Sequence, residues 1–91
     1  ERILTEKEQQ IFETLSHARK VEFLAGRFAA KEAYSKANGT GIGKDCELQQ
    51  IEILKDEIGK PVLYFDGELV NGFISITHTK TTAAAQVILM Q

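Results

Sequence analysis

Glu32 and Lys36 stand four residues apart in the stretch Arg27-Phe28-Ala29-Ala30-Lys31-Glu32-Ala33-Tyr34-Ser35-Lys36. On a helix that spacing puts both side chains on one face. A carboxylate beside an ammonium suits phosphoryl chemistry: Mg²⁺ is commonly held by one or two carboxylates plus substrate phosphate oxygens, and a neighbouring lysine neutralises charge on the transferring group. The other reading is a solvated pair at the helix edge, which stabilises a helix by only about 0.3–0.5 kcal/mol.

The element that carries the pair decides between these readings. Val21, Leu24, Ala25 and Phe28 recur at three and four, and Phe28, Glu32 and Lys36 continue that stripe. Glu32 is therefore expected to be at least partly buried. An uncompensated buried carboxylate costs several kcal/mol, so Lys36 alone is a poor partner for it.

The surrounding elements follow from local signals. Thr5-Glu6-Lys7-Glu8 matches a capping box and predicts a helix from about Glu6 to Leu15. Ser16 reads as a second N-cap, opening a long helix over His17 to Ala37 that Asn38-Gly39 ends with a left-handed stop. The period then changes to two. Gln50 to Lys55 and Pro61 to Phe65 read as strands around a turn at Asp56 to Gly59, and Asp66-Gly67 is a further turn. Phe73 to His78 and Ala83 to Met90 form a hairpin joined by Thr79 to Thr82, while Glu68 to Gly72 is ambiguous. Helices followed by closely spaced strands predict an α+β fold, with two N-terminal helices packed on an antiparallel sheet.

Composition sets outer bounds. The chain has 91 residues, 43% hydrophobic and 26% charged, which fits one globular domain. A core this small favours oligomerisation. The net charge of −2 argues against an overall nucleic-acid-binding surface. One cysteine, Cys46, excludes an internal disulfide and reads as a plain loop thiol; no apolar run is long enough to span a membrane, so a cytoplasmic protein is expected. The first residue is Glu1 rather than Met, which suggests that the chain is the visible part of a longer one.

Three stretches carry a resemblance: Phe23-Leu24-Ala25-Gly26 running on through Arg27 to Gly43, Ile51 to Pro61, and Ile74 to Leu89. Together they resemble the bacterial holo-[acyl-carrier-protein] synthases, the small trimeric class of 4'-phosphopantetheinyl transferases, over nearly the whole chain. The Phe-x-x-Lys-Glu-Ala-x-x-Lys core, Phe28 to Lys36, is shared by phosphopantetheinyl transferases generally. The resemblance implies Mg²⁺-dependent transfer of the phosphopantetheine arm of coenzyme A to a serine of apo-acyl carrier protein, with release of 3',5'-ADP. It also implies a homotrimer whose active sites lie between neighbouring subunits.

Roles follow residue by residue from that resemblance. Glu32 matches the glutamate that binds Mg²⁺ and serves as base or holds the water that does, and Lys36 matches the lysine on the phosphates. Arg27, otherwise a solvated helix arginine, matches an arginine near the nucleotide phosphate of coenzyme A. His78, otherwise a satisfied structural histidine, and Thr79 match positions near the coenzyme A nucleotide. Gly39 opens a loop, Gly39 to Gly43, that follows its helix rather than preceding one; helix termination plus close approach to the pantetheine arm is the expected role. Pro61 follows a turn that lies beside coenzyme A. Arg2 and Arg19 match contacts to the acidic helix of the carrier protein. Ala83 to Met90, apolar on both faces apart from Gln86, suggests a subunit interface.

One departure stands against the resemblance. Family members begin with a strand reading roughly Gly-Ile-Gly-x-Asp, whose aspartate is the second protein ligand of the metal, followed by a basic helix; neither precedes Glu1. A second functional reading is accordingly a non-catalytic coenzyme A-binding or interaction module, and a third is a small structural oligomer.

Overall fold

The computed structural model describes residues 2–79 and 82–90. Helix α1 spans Glu6–Glu13 and opens with the expected capping box: the Thr5 hydroxyl accepts from the Glu8 amide at 3.3 Å, and Glu8 Oε1 accepts from the Thr5 amide at 2.9 Å. It stops short of Leu15 because Thr14 turns its amide and its hydroxyl onto the Ile11 carbonyl. Ser16 then caps α2, His17–Ala37, by accepting from the Arg19 amide at 3.4 Å. Gly39, at φ 89°, turns the chain out of the helix, and the amides of Thr40 and Gly41 return to the Ser35 carbonyl.

A 3₁₀ turn at Leu48–Gln50, without a counterpart in the sequence expectations, feeds strand β1, Ile51–Lys55. Strand β2, Pro61–Phe65, pairs antiparallel with it, Ile51 opposite Phe65 and Lys55 opposite Pro61. Asp56 Oδ1 fixes the connecting turn by accepting from the amides of Ile58 and Lys60 at 3.0 and 2.8 Å. Asp66 and Gly67, both at positive φ, form the tight turn into the short strand β3, Glu68–Leu69. The ambiguous segment thus divides between β3 and the start of β4.

Strands β4, Gly72–His78, and β5, Ala83–Leu89, form a separate two-stranded antiparallel hairpin in which Phe73 faces Ile88 and His78 faces Ala83. The α+β architecture is as expected, with the strands divided into a three-stranded and a two-stranded sheet. Within the expected hairpin turn, Lys80 and Thr81 lie outside the described residues. The core joins Ala30 and Tyr34 of α2 to Cys46, Ile51, Ile53 and Leu63, with Ile74, Ile76, Ala85, Val87 and Leu89 packed against it. Cys46 is fully buried, held by a two-way backbone pairing with Gly43, so it is a core thiol rather than a plain loop one.

The expected stripe on α2 is corrected. Val21 is 60% exposed, Phe28 is at the surface, and Glu32 and Lys36 are both exposed. The helix instead buries Gly26, Arg27, Ala30, Lys31, Tyr34 and Ser35. The periodicity is helical but its phase differs, because two cations occupy the inward face where a hydrophobicity pattern expects apolar residues. They are tolerated there because α1 supplies a buried carboxylate.

Candidate functional site

That carboxylate is Glu8, which is fully buried. Its Oε1 accepts from Lys31 Nζ at 2.7 Å in addition to the Thr5 amide, and its Oε2 accepts from the Ile53 amide at 2.8 Å. Lys31 Nζ donates its other two protons to the carbonyls of Ile3, at 2.6 Å, and Leu48, at 3.0 Å. All three ammonium protons are therefore used. One side chain of α2 thereby ties down the N-terminal segment, α1 and the 3₁₀ turn. Burial pulls the Lys31 ammonium below the ordinary lysine range, and the hydrogen bond and charge of Glu8 oppose that pull.

Arg27 lies one turn before Lys31. Its Nε stands 3.7 Å from Glu8 Oε2 and has no hydrogen-bond partner among the described residues, although it is buried. Its guanidinium carbon sits 4.1 Å from the centroid of the Phe23 ring, a cation–π contact that fixes its plane. Burial lowers its pKa and the Glu8 carboxylate counteracts the effect.

Arg27 lines a cavity of about 530 Å³ between α1, α2, β1 and β4, together with Lys7, Arg19, Lys55, Gly26 and His78. The cations outnumber the carboxylates in the lining, where Glu22 is paired with Arg19 at 3.7 Å. Such a wall attracts anions. Helix α2 comes close to β4 at Gly26, where a Cβ would lie 3.3 Å from Ile76 Cγ2 and 3.5 Å from His78 Cδ2.

Among the residues expected at the site, Arg27, His78 and Arg19 thus share one cavity. Pro61 lines a second, of about 490 Å³, between the two sheets beside Lys60, Val70 and Phe73. Glu32, Lys36, Gly39, Thr79 and Arg2 line neither. Helical geometry accounts for part of this: Glu32 lies about 140° around α2 from Arg27, whereas Lys36 lies only about 40° from Glu32. Arg2 is exposed beside Gln9 and Phe12. Gly39 lies on the exposed left-handed turn after α2, and Thr79 donates its amide to the Thr82 carbonyl at 2.8 Å.

Glu8, Lys31 and Phe23 were missed in the sequence. Glu8 had an assigned task in the capping box, and Lys31 was only a letter of the Phe-x-x-Lys-Glu motif. The available signal was a lysine at the inward phase of α2, three residues before Tyr34 and one after Ala30.

Comparison with known proteins shows what the chain as a whole is similar to. The family model of the 4'-phosphopantetheinyl transferase superfamily matches residues 1–88. The chain is 55% identical over 89 residues to the holo-[acyl-carrier-protein] synthase of Geobacillus sp. (strain WCH70), covering 98% of this chain and 75% of that protein. The crystal structure of a holo-(acyl-carrier-protein) synthase from Bacillus anthracis str. Ames in complex with CoA (3',5'-ADP) superposes with a TM-score of 0.89 at 53% identity, covering 98% of this chain and 76% of that one. The Helicobacter pylori holo-[acyl-carrier-protein] synthase in complex with coenzyme A gives a TM-score of 0.81 at 29% identity, over 98% and 78% of the two chains.

Proposed function

This chain belongs to the 4'-phosphopantetheinyl transferase superfamily, and from that premise we propose that it transfers the 4'-phosphopantetheine arm of coenzyme A to a serine hydroxyl of apo-acyl carrier protein, releasing 3',5'-ADP. The observation that carries the reading is the exposure of Glu32 and Lys36, one turn apart on α2, while another face of the same helix lines a cation-rich cavity.

In the reaction the serine oxygen forms a bond to the phosphorus nearest the pantetheine, and the bond from that phosphorus to the bridging oxygen breaks. The departing 3',5'-ADP keeps the electron pair. Glu32, exposed and free of side-chain partners among the described residues, takes the serine proton directly or through a water that it orients. Lys36 neutralises charge on the phosphates as the leaving group departs. Arg27 and His78, with Thr79 at the end of β4, hold the nucleotide phosphate end of coenzyme A; Gly39 and Pro61 border the pantetheine arm. Arg19 and Arg2 steer the acidic carrier protein.

No group of three or more His, Cys, Asp and Glu side chains comes together among the described residues. Glu32 nevertheless fits Mg²⁺, an ion that uses one or two carboxylates and takes its remaining oxygens from phosphate and water. When bound, Mg²⁺ would supply charge neutralisation at the pyrophosphate.

The working enzyme is a cytoplasmic homotrimer of single transferase domains. Two features support the trimer: Arg27 and Glu32 present faces of one helix about 140° apart and do not share a cavity within one copy, and Phe73 and Ile88 oppose each other at 59% and 52% exposure on the β4–β5 hairpin. The test is incubation of the full-length protein with coenzyme A, Mg²⁺ and apo-acyl carrier protein. The carrier should gain the mass of the arm; binding of coenzyme A with no mass gain under Mg²⁺ or Mn²⁺ would favour the non-catalytic module instead.

A further inference from the structure

Residues Arg2 to Thr5 form neither helix nor strand, yet side chains hold the backbone at three successive positions. Lys31 Nζ donates to the Ile3 carbonyl at 2.6 Å, and Gln49 Nε2 donates to the Leu4 carbonyl at 3.2 Å. At Thr5 the amide donates to Glu8 Oε1 and the hydroxyl to Glu52 Oε2. A segment without a hydrogen-bond ladder of its own is thus strapped to α1, α2, the 3₁₀ turn and β1.

Lys31 is the costly part of this strap, because it is fully buried. A buried ion pair is weak evidence for stability, since apolar residues of similar volume often serve a fold as well. An apolar residue could not fix Glu8 and the carbonyls of Ile3 and Leu48 at a single point. What Lys31 adds is location.

The charged group located in this way is Arg2. Its side chain is exposed, borders two clefts, and makes no ion pair or hydrogen bond among the described residues. Arg19, the other cation assigned to the carrier protein, rides on the first turn of α2 and pairs with Glu22 at 3.7 Å. A helix positions Arg19, whereas Arg2 depends on the straps at Ile3 and Leu4.

We propose that Lys31 and Gln49 are positioning residues for carrier-protein docking: by holding the carbonyls of Ile3 and Leu4 they present Arg2 in a fixed place to an acidic helix of the partner. The proposal rests on the reading above for the identity of that partner. Both residues act through Arg2. Ordering the backbone of one residue only at the moment of binding weakens association about fivefold or more.

The experiment measures KM for apo-acyl carrier protein, kcat and coenzyme A affinity in the full-length protein and its variants. Lys31→Met should raise the carrier KM about fivefold or more and Gln49→Ala about threefold or more, with kcat and coenzyme A affinity within about twofold of wild type. In an Arg2→Ala background neither change should have a further effect. In an Arg19→Ala background both should keep their full effect, because that cation is held independently.

A fall in kcat or in coenzyme A affinity with Lys31→Met overturns the proposal, since it marks an action on the α2 turns that carry Arg27 and Glu32. Gln49→Ala changes an exposed residue and decides alone if Lys31→Met fails to fold. An unchanged carrier KM in that variant, or an increase that persists without Arg2, overturns the proposal equally. If Arg2→Ala by itself leaves the carrier KM unchanged, the assignment of Arg2 to the carrier is wrong and the proposal falls with it. A wild-type protein that binds coenzyme A and modifies no carrier sinks the functional reading itself, and the proposal with it.

Discussion

Lys31 Nζ and Glu8 Oε1 stand 2.7 Å apart with neither side chain exposed, joining residues separated by 23 positions in the chain. The pair links helix α2 to the helix before it, and through Glu8 Oε2 to the first strand. Breaking a buried pair from one side leaves an uncompensated charge, at a cost of about 3–5 kcal/mol, whereas removing both charges together is often close to neutral. Glu8→Gln leaves both Lys31 and Arg27 buried without their carboxylate and should lower the urea midpoint strongly, and Glu8→Gln/Lys31→Met should recover only part of that loss, because Arg27 stays buried without Glu8. Additive losses in the double variant would show that the two side chains stabilise the fold independently.

Glu32 offers the opposite case. It is exposed and free of side-chain partners among the described residues, so Glu32→Gln should change folding stability by no more than about 0.5 kcal/mol. Transfer of the arm should nevertheless fall by about a hundredfold or more, since general-base positioning contributes on that order. The two measurements are a thermal melt and the rate of mass gain on apo-acyl carrier protein. Full turnover by the variant would remove Glu32 from the reaction.

These contrasting residues also show where sequence is informative. Thr5, Ser16, Asn38-Gly39, Asp56 and Asp66-Gly67 act on backbone groups within a few positions, so the caps and turns they specify could be read directly. The strands were legible for the same reason, through their alternation. The phase of α2 was not. Val21, Leu24 and Phe28 made the larger apolar stripe, but the helix buries Arg27 and Lys31 because a distant carboxylate neutralises them. A pairing between helices leaves no trace in the periodicity of either one. Glu32 and Lys36 stood out as letters of a motif, but the burial that the stripe predicted for Glu32 is not there, since both side chains are exposed.

Two glycines separate steric need from convenience. At Gly72 a Cβ would meet the Ile88 carbonyl oxygen at 2.4 Å, and only a shift of the paired strand could relieve it. Gly72→Ala should cost about 2–3 kcal/mol. At Gly26 the contacts are side-chain atoms at 3.3 Å and beyond, and alanine gains about 1 kcal/mol of helix propensity over glycine. Gly26→Ala should therefore be close to neutral in a chemical melt. Equal destabilisation at both positions would show that the β4–β5 hairpin adjusts more readily than its register suggests.

The outer face of that hairpin gives the sharpest check on assembly. Ile88 is 52% exposed and faces Phe73 across the strand pair. In an isolated chain Ile88→Lys is a surface change worth no more than about 0.5 kcal/mol. In a trimer that buries this face, the same change places an unpaired ammonium in an apolar contact, which costs several kcal/mol for each copy. Sedimentation should then show dissociation, with the circular dichroism spectrum retained. Transfer activity should be lost along with assembly, because the Arg27 and Glu32 faces of α2 would no longer meet across a boundary between copies. A monomeric variant with undiminished transfer would place the whole reaction within one chain.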